Sequence, residues 1–164
     1  MKGIAKNIGT ILIVEDYEDV RRMLRMLLES EHFRVLDAGS GAEALNLLNS
    51  EYPDIILMDL GLPGFDGIET IRRIRKRDGF QNTTIIVLTA ASGRAIHETA
   101  FRAGTNYFMS KPIDFDGLAE LLKQISTDRG RSKIPKYARS RAQRAVMRNT
   151  VSMPQTSSEA RWTN

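Results

Sequence analysis

Pro53-Asp54-Ile55-Ile56-Leu57-Met58-Asp59-Leu60 decides how the chain is read. The residues from Ile55 to Met58 are apolar without alternation. A proline precedes the run and Gly61-Leu62-Pro63-Gly64 follows it. A run this short and continuous suits a strand buried on both faces, the kind found in parallel sheets. It ends in a carboxylate, Asp59. Burying an unpaired carboxylate is costly, so Asp59 is expected at the carboxyl end of its strand, where a loop admits water and ligands. In open α/β sheets that edge is where ligands bind. Taken alone, Asp59 reads equally well as the start of a turn before Gly61.

The same kind of run recurs on either side. Thr10-Ile11-Leu12-Ile13-Val14 is a buried-strand run ending in two acids, Glu15 and Asp16. Residues 17–30 follow with Val20, Met23, Leu24, Leu27 and Leu28 at helical spacing. Glu18 and Asp19 in the first turn, with arginines later, suit the helix dipole. Residues 33–36 read as a short strand. Ser40-Gly41-Ala42-Glu43 is a capping box, opening a helix with Ala44, Leu45, Leu47 and Leu48 on its apolar side. Beyond Asp59, Asp66 caps a helix to about residue 76, with Ile68, Ile71 and Ile74 as its core stripe. Arg72, Arg73, Arg75, Lys76 and Arg77 read as its solvated face. Residues 84–88 form the next buried strand, ending at Thr89-Ala90-Ala91. A helix over 94–103, stopped by Gly104, and a short strand over 106–109 lead to Ser110-Lys111-Pro112. Asp114 caps a last helix to about residue 125.

Strand and helix thus alternate five times. That pattern calls for an α/β fold, a five-stranded parallel sheet with helices on both faces and right-handed crossovers. About this length of chain suits the flavodoxin-like, doubly wound (βα)5 arrangement. The 164 residues are expected to divide into a domain over 8–126 and a basic tail over 127–164. Residues 1–126 carry 15 Lys and Arg against 18 Asp and Glu, a net −3; residues 127–164 carry 9 against 2, a net +7. The overall charge of +4 therefore belongs to the tail. Gly130, Ser132 and Pro135 suggest a linker, residues 136–149 a short basic helix, and residues 151–164 a polar, flexible end. Such a tail suits contact with nucleic acid, an anionic membrane or an acidic partner, and is too short for a winged-helix domain. The absence of cysteine excludes disulfides and thiolate metal sites. No signal peptide or membrane-length apolar run is evident, so a cytoplasmic chain without a membrane span is expected.

In a parallel sheet the carboxyl ends of all strands share one edge. Glu15, Asp16, Asp59, Thr89 and Lys111 each follow a strand, so the fold gathers them. Three clustered carboxylates repel, and a hard divalent cation such as Mg²⁺ resolves the repulsion. Asp59 is the candidate nucleophile, since a carboxylate can accept a phosphoryl group to give an aspartyl phosphate. The transfer needs positioning and charge neutralisation, which Mg²⁺ and the Lys111 ammonium would provide. The Thr89 hydroxyl is placed to donate to a phosphoryl oxygen. His32 and His97 have no metal-spaced partner and read as surface or packing residues.

Residues 10–125 resemble a response-regulator receiver domain of two-component phosphorelay signalling, of the single-domain, chemotaxis-regulator-like kind. The resemblance is carried by the ordered set ILIVED, PDIILMDLGLPGFDG, IIVLTA and AGTNYFMSKPI. It implies that Asp59 is the phosphorylation site and that Glu15, Asp16, Asp59 and the Gly61 backbone carbonyl hold Mg²⁺, with Asp16 the stronger contact of the acidic pair. It makes Thr89 the switch hydroxyl and Phe108 the switch aromatic, three residues before Lys111. Lys111 would contact the phosphoryl group, ahead of a cis bond to Pro112. Glu15 stands where the family usually has an aspartate. Gly61 and Ala91, at positions that tune dephosphorylation, offer no polar side chain. The implied partners are a sensor histidine kinase or phosphotransfer protein upstream and an unidentified protein target downstream. The implied activity is a signalling phosphoacceptor, not an enzyme beyond its own phosphorylation and dephosphorylation. An alternative is a binding module, gated by phosphorylation or independent of it, whose tail contacts nucleic acid or an acidic partner. A haloacid-dehalogenase-type phosphatase would want an Asp where Gly61 stands.

Overall fold

The computed structural model describes residues 8–64, 66–91 and 93–130. Five strands alternate with five helices: β1 (Thr10–Val14), α1 (Glu18–Ser30), β2 (Arg34–Ala38), α2 (Gly41–Leu47), β3 (Ile55–Asp59), α3 (Gly67–Arg75), β4 (Thr84–Thr89), α4 (Arg94–Ala103), β5 (Tyr107–Ser110) and α5 (Phe115–Gly130). The strands form one parallel sheet in the order β2-β1-β3-β4-β5. This is the flavodoxin-like order expected. All five residues of β3 are buried, as its unbroken apolar run demands.

Alternation along the strands sorts the core into two layers. Ile11, Ile13, Ile55, Leu57 and Ile86 meet Leu24 and Leu28 of α1 and Leu118 and Leu122 of α5. Leu12, Val14, Ile56, Met58, Ile85 and Val87 meet α2, α3 and α4 through Ala44, Leu45, Ile68, Ile71, Ile74 and Ala100. Ile71 and Ile74 are fully buried, and each contributes about 2 kcal/mol by that burial. The helix starts read from the sequence hold. Asp66 Oδ1 accepts from the Glu69 N–H at 2.6 Å and Asp114 Oδ1 from the Gly117 N–H at 3.0 Å. Ser40 Oγ accepts from the Glu43 N–H at 3.2 Å, but the Glu43 carboxylate reaches back to the Gly39 N–H, one residue before the cap.

Several local expectations change. β2 begins after Phe33, which is buried just ahead of it. β5 starts at Tyr107 because the Asn106 side chain accepts from the Ile85 N–H at 2.8 Å, standing in for a ladder bond. The last helix runs to Gly130 rather than stopping near residue 125. No arginine lies in the last turn of α1, so the dipole account of its arginines fails. Arg21 and Arg25 instead turn to Asp37 of β2. Met23 is 49% exposed, off the apolar stripe. Arg75 and Arg77 are not solvated: Arg75 donates to the Phe80, Thr83 and Gly104 carbonyls, and Arg77 donates to that of Leu45. A long stem lets a helix-end arginine fold back onto neighbouring loops.

Among the described residues no helix is long and apolar enough to cross a membrane. From residue 131 the tail, with its expected linker and basic helix, lies outside the described residues.

Candidate functional site

Asp59 is the last residue of the central strand, so its carboxylate sits at the sheet's carboxyl edge while its backbone stays in the ladder. Glu15 and Asp16 follow β1, the neighbour on one side; Thr89 ends β4, the neighbour on the other. Lys111 follows β5, and its N–H donates to the Thr89 carbonyl at 2.8 Å, which ties the lysine beside β4. The Lys111–Pro112 bond is cis, as the resemblance implies.

The sheet brings the acids and the lysine into contact. Lys111 Nζ donates to Asp59 Oδ2 at 2.8 Å and to Glu15 Oε2 at 2.7 Å. The Glu15 and Asp59 side chains are only 2% and 8% exposed, so these are shielded ion pairs rather than surface ones. Three carboxylates stand beside one ammonium, and burial and charge act on the groups in opposite directions. Burial, reinforced by the charge of Asp59, pushes the Glu15 carboxyl above its ordinary range, although Lys111 pulls the other way. Burial alone would lower the Lys111 ammonium. Its bonds to Asp59 and Glu15 outweigh that and hold it above the usual lysine range.

Oxygens are left over. Glu15 Oε1 and Asp16 Oδ1 are buried and find no hydrogen-bond partner among the described residues. One carboxylate oxygen from each of Glu15, Asp16 and Asp59 falls within 4.8 Å of the others. A compact set of hard oxygen donors, two of them unsatisfied, suits Mg²⁺, which takes oxygen ligands and keeps some of its waters. Lys111 engages Glu15 and leaves Asp16 alone. Asp59 Oδ1 accepts from the Gly61 N–H at 3.0 Å, and a Cβ at Gly61 would lie 3.7 Å from both carboxylate oxygens. The Gly61 amide thus holds one oxygen of Asp59.

Thr89 is 3% exposed and its Oγ1 accepts from the Ala91 N–H at 3.0 Å, so its own O–H remains a donor. Phe108 is buried on the α4 side of the sheet, with ring centroids 3.9 Å from His97 and 6.4 Å from Phe101. The structure thus gathers Glu15, Asp16, Asp59 and Lys111 directly and sets Thr89 on the adjacent strand end. Phe108, a residue of β5, packs away from them under α4, where His97 is a packing partner.

Two contributors escaped the sequence reading. Gly67 opens α3 so close to the site strand that a Cβ there would stand 2.2 Å from the Asp59 carbonyl oxygen. A glycine directly after the capping Asp66 was the available signal. Arg21 Nη1 donates to the carbonyls of both Glu15 and Asp16. An arginine five residues after an acid, outside the helix's last turn, was the sign of it.

Known proteins carry the same pattern. A model of the response regulator receiver domain family matches residues 11–123. Sporulation initiation phosphotransferase F of Bacillus subtilis is 31% identical over 114 residues, 70% of this chain and 90% of that protein. The transcriptional regulatory protein ResD of Bacillus subtilis is 44% identical over 104 residues, 63% of this chain but only 42% of ResD, so under half of that regulator is matched. A two-component response regulator of the LuxR family from an Aurantimonas species aligns with a TM-score of 0.66 at 34% identity, over 73% of this chain and 86% of that one.

Proposed function

The chain belongs to the response regulator receiver domain family, a phosphoacceptor in two-component signalling, and on that premise we propose that Asp59 is its acceptor and works with a divalent cation. The observation that carries the reading is the contact of Lys111 with Asp59 at 2.8 Å beside an acidic pair with two unsatisfied buried oxygens.

An Asp59 carboxylate oxygen attacks the phosphorus of a phosphohistidine on a sensor kinase or phosphotransfer protein. A P–O bond forms to give the acyl phosphate, the P–N bond breaks, and the histidine imidazole leaves. Glu15, Asp16, Asp59 and the Gly61 carbonyl would hold Mg²⁺. Bound there, the cation would neutralise charge on the phosphoryl oxygens and align them for an in-line transfer. Lys111 keeps Asp59 oriented beforehand and has a second ammonium hydrogen bond, to Glu15, that it can exchange for a phosphoryl oxygen. Water attacking the same acyl phosphate returns the free carboxylate. Neither Gly61 nor Ala91 has a polar side chain to hold that water.

Thr89 reads out the event. Its O–H donates to the bound phosphoryl group, which draws the end of β4 inward. Phe108, packed on His97 and Phe101, then resettles against α4. The active arrangement gains only by its differential affinity for the phosphoryl group. The output is a phosphorylation-dependent contact with a protein target.

Intact mass after incubation with Mg²⁺ and acetyl phosphate tests the reading. One phosphoryl adduct is expected on the wild type, absent from Asp59→Ala and lost when EDTA replaces Mg²⁺. An adduct that persists in Asp59→Ala, or no adduct on the wild type at any Mg²⁺ concentration, overturns it.

A further inference from the structure

We infer that Arg21 is the positioning residue of the acidic pair: its guanidinium clamps the backbone of Glu15 and Asp16 and so presets their carboxylates for a divalent cation. The inference rests on the cation-assisted reading above and deepens it.

The β1 ladder ends at Val14 and α1 begins at Glu18, so both acids lie on a three-residue connection. The Glu15 N–H is tied to the Ala38 carbonyl at 3.1 Å. The two carbonyls of the acids point elsewhere, and a single side-chain nitrogen takes both. Arg21 Nη1 donates to the Glu15 oxygen and to the Asp16 oxygen, each at 2.8 Å. That nitrogen carries two hydrogens, so the pair of bonds uses it fully.

The other edge of the guanidinium is anchored. Nε lies 3.5 Å from Asp37 Oδ2 of β2, and Asp37 also pairs with Arg25. Gly39, just past β2, lies beside the guanidinium: a Cβ there would stand 3.4 Å from Nη1, an ordinary contact distance. Arg21 is 18% exposed while its neighbour Arg22 is 65% exposed, so the first is built into the fold and the second is a surface ion-pair partner of Glu18.

Glu15 Oε1 and Asp16 Oδ1 have no hydrogen bond to orient them. Lys111 holds Glu15 by its other oxygen, whereas the Asp16 carboxylate takes its position from the backbone that Arg21 holds. Mg²⁺ demands near-octahedral geometry at short distances and tolerates little drift in its ligands. Because the guanidinium directs its donors to carbonyls, it fixes the loop without occupying the carboxylate oxygens. It also brings a permanent positive charge to a connection that carries two acids.

The test compares Mg²⁺ affinity by calorimetry in the full chain for the wild type, Arg21→Met, Arg21→Lys and the surface control Arg22→Met, each shown folded by circular dichroism. Arg21→Met is expected to weaken Mg²⁺ binding roughly 10-fold or more, the range typical of groups that orient metal ligands. Arg21→Lys regains donors to the two carbonyls but not the planar fork, and is expected to recover to within roughly 3-fold of the wild type. Arg22→Met is expected to match the wild type. Asp37→Asn, which loosens the anchor while keeping the guanidinium, should fall between, and it decides the matter if Arg21→Met does not fold. An Arg21→Met affinity within about 2-fold of the wild type, or an equal loss in Arg22→Met, overturns the inference, since orienting groups act on binding more strongly than that. The readout does not involve phosphotransfer. A wild type that binds Mg²⁺ but takes no phosphoryl group overturns the functional reading and leaves this inference to the affinities.

Discussion

At the amino ends of β4 and β5, Arg75 donates to the Phe80, Thr83 and Gly104 carbonyls and to Asn106 Oδ1, in five bonds between 2.7 and 3.0 Å. A guanidinium has five N–H donors, so none is left over. At the carboxyl edge of the same sheet, Glu15 and Asp59 share one ammonium beside Asp16, and two buried oxygens find no partner among the described residues. Both regions take charge out of water. One satisfies its charge completely with neutral acceptors that belong to the fold; the other leaves carboxylate lone pairs that the described residues do not satisfy. Buried polar groups are ordinarily hydrogen-bonded, and although Thr105 Oγ1 beside the Arg75 cluster also lacks a partner among the described residues, only at the carboxyl edge do unsatisfied oxygens converge with a third carboxylate.

The comparison breaks most easily at Arg75. Arg75→Met takes the side-chain donors from the Thr83 and Gly104 carbonyls, while the Phe80 carbonyl keeps the Thr83 N–H, so the fold should lose on the order of 3 kcal/mol. Arg75→Lys should recover little of that, because three donors on a point charge cannot replace a planar fork. Urea unfolding in EDTA reads both. A loss below about 1 kcal/mol for Arg75→Met would mean that water takes over those carbonyls, and that saturation at this end stabilises nothing.

Gly67→Ala sharpens the contrast from the other edge. Its Cβ would meet the Asp59 carbonyl oxygen at 2.2 Å and Leu60 Cα at 2.8 Å, both backbone atoms that cannot swing aside. Overpacking of this kind costs about 1–3 kcal/mol. Because the displaced atoms belong to Asp59 and Leu60, phosphoryl uptake should fall along with stability. An alanine variant that loses stability but accepts phosphate at the wild-type rate would show that the site tolerates movement of the β3–α3 connection.

The sheet itself was legible because β1, β3 and β4 are buried on both faces, which leaves uninterrupted apolar runs in the sequence. The site was legible for a related reason: parallel strands share a carboxyl edge, so residues after each run are brought together whatever lies between. The arginines were not legible. Arg75 sits among four other basic residues, and composition cannot separate those that face water from one that bonds to Gly104, 29 residues away. Arg21 was hidden likewise, since the bonds that tie it to the site go to main-chain carbonyls, which carry no side-chain signature. Asn106 misled by substituting its side chain for a strand bond.

The smallest expected effect is the most diagnostic of the open edge. In the metal-free protein the Glu15 carboxyl titrates above its ordinary range, chiefly because it is buried. Folding therefore favours the protonated form, and the stability this group contributes is present below its unfolded value and lost as pH rises through the folded one. Glu15→Gln removes that titration. In EDTA the variant should gain on the wild type as pH climbs above the ordinary carboxylate range, and only modestly, since Lys111 offsets part of the cost of the charge. With Mg²⁺ present the order should reverse at the higher pH, because the cation binds the ionised carboxylate and the glutamine offers it only a neutral oxygen. Unfolding curves for both proteins, with and without Mg²⁺, give the four values needed. If Glu15→Gln is the less stable protein in EDTA across the whole range, the Lys111 pairing outweighs burial and repulsion, and the carboxyl edge is satisfied as it stands rather than awaiting a ligand.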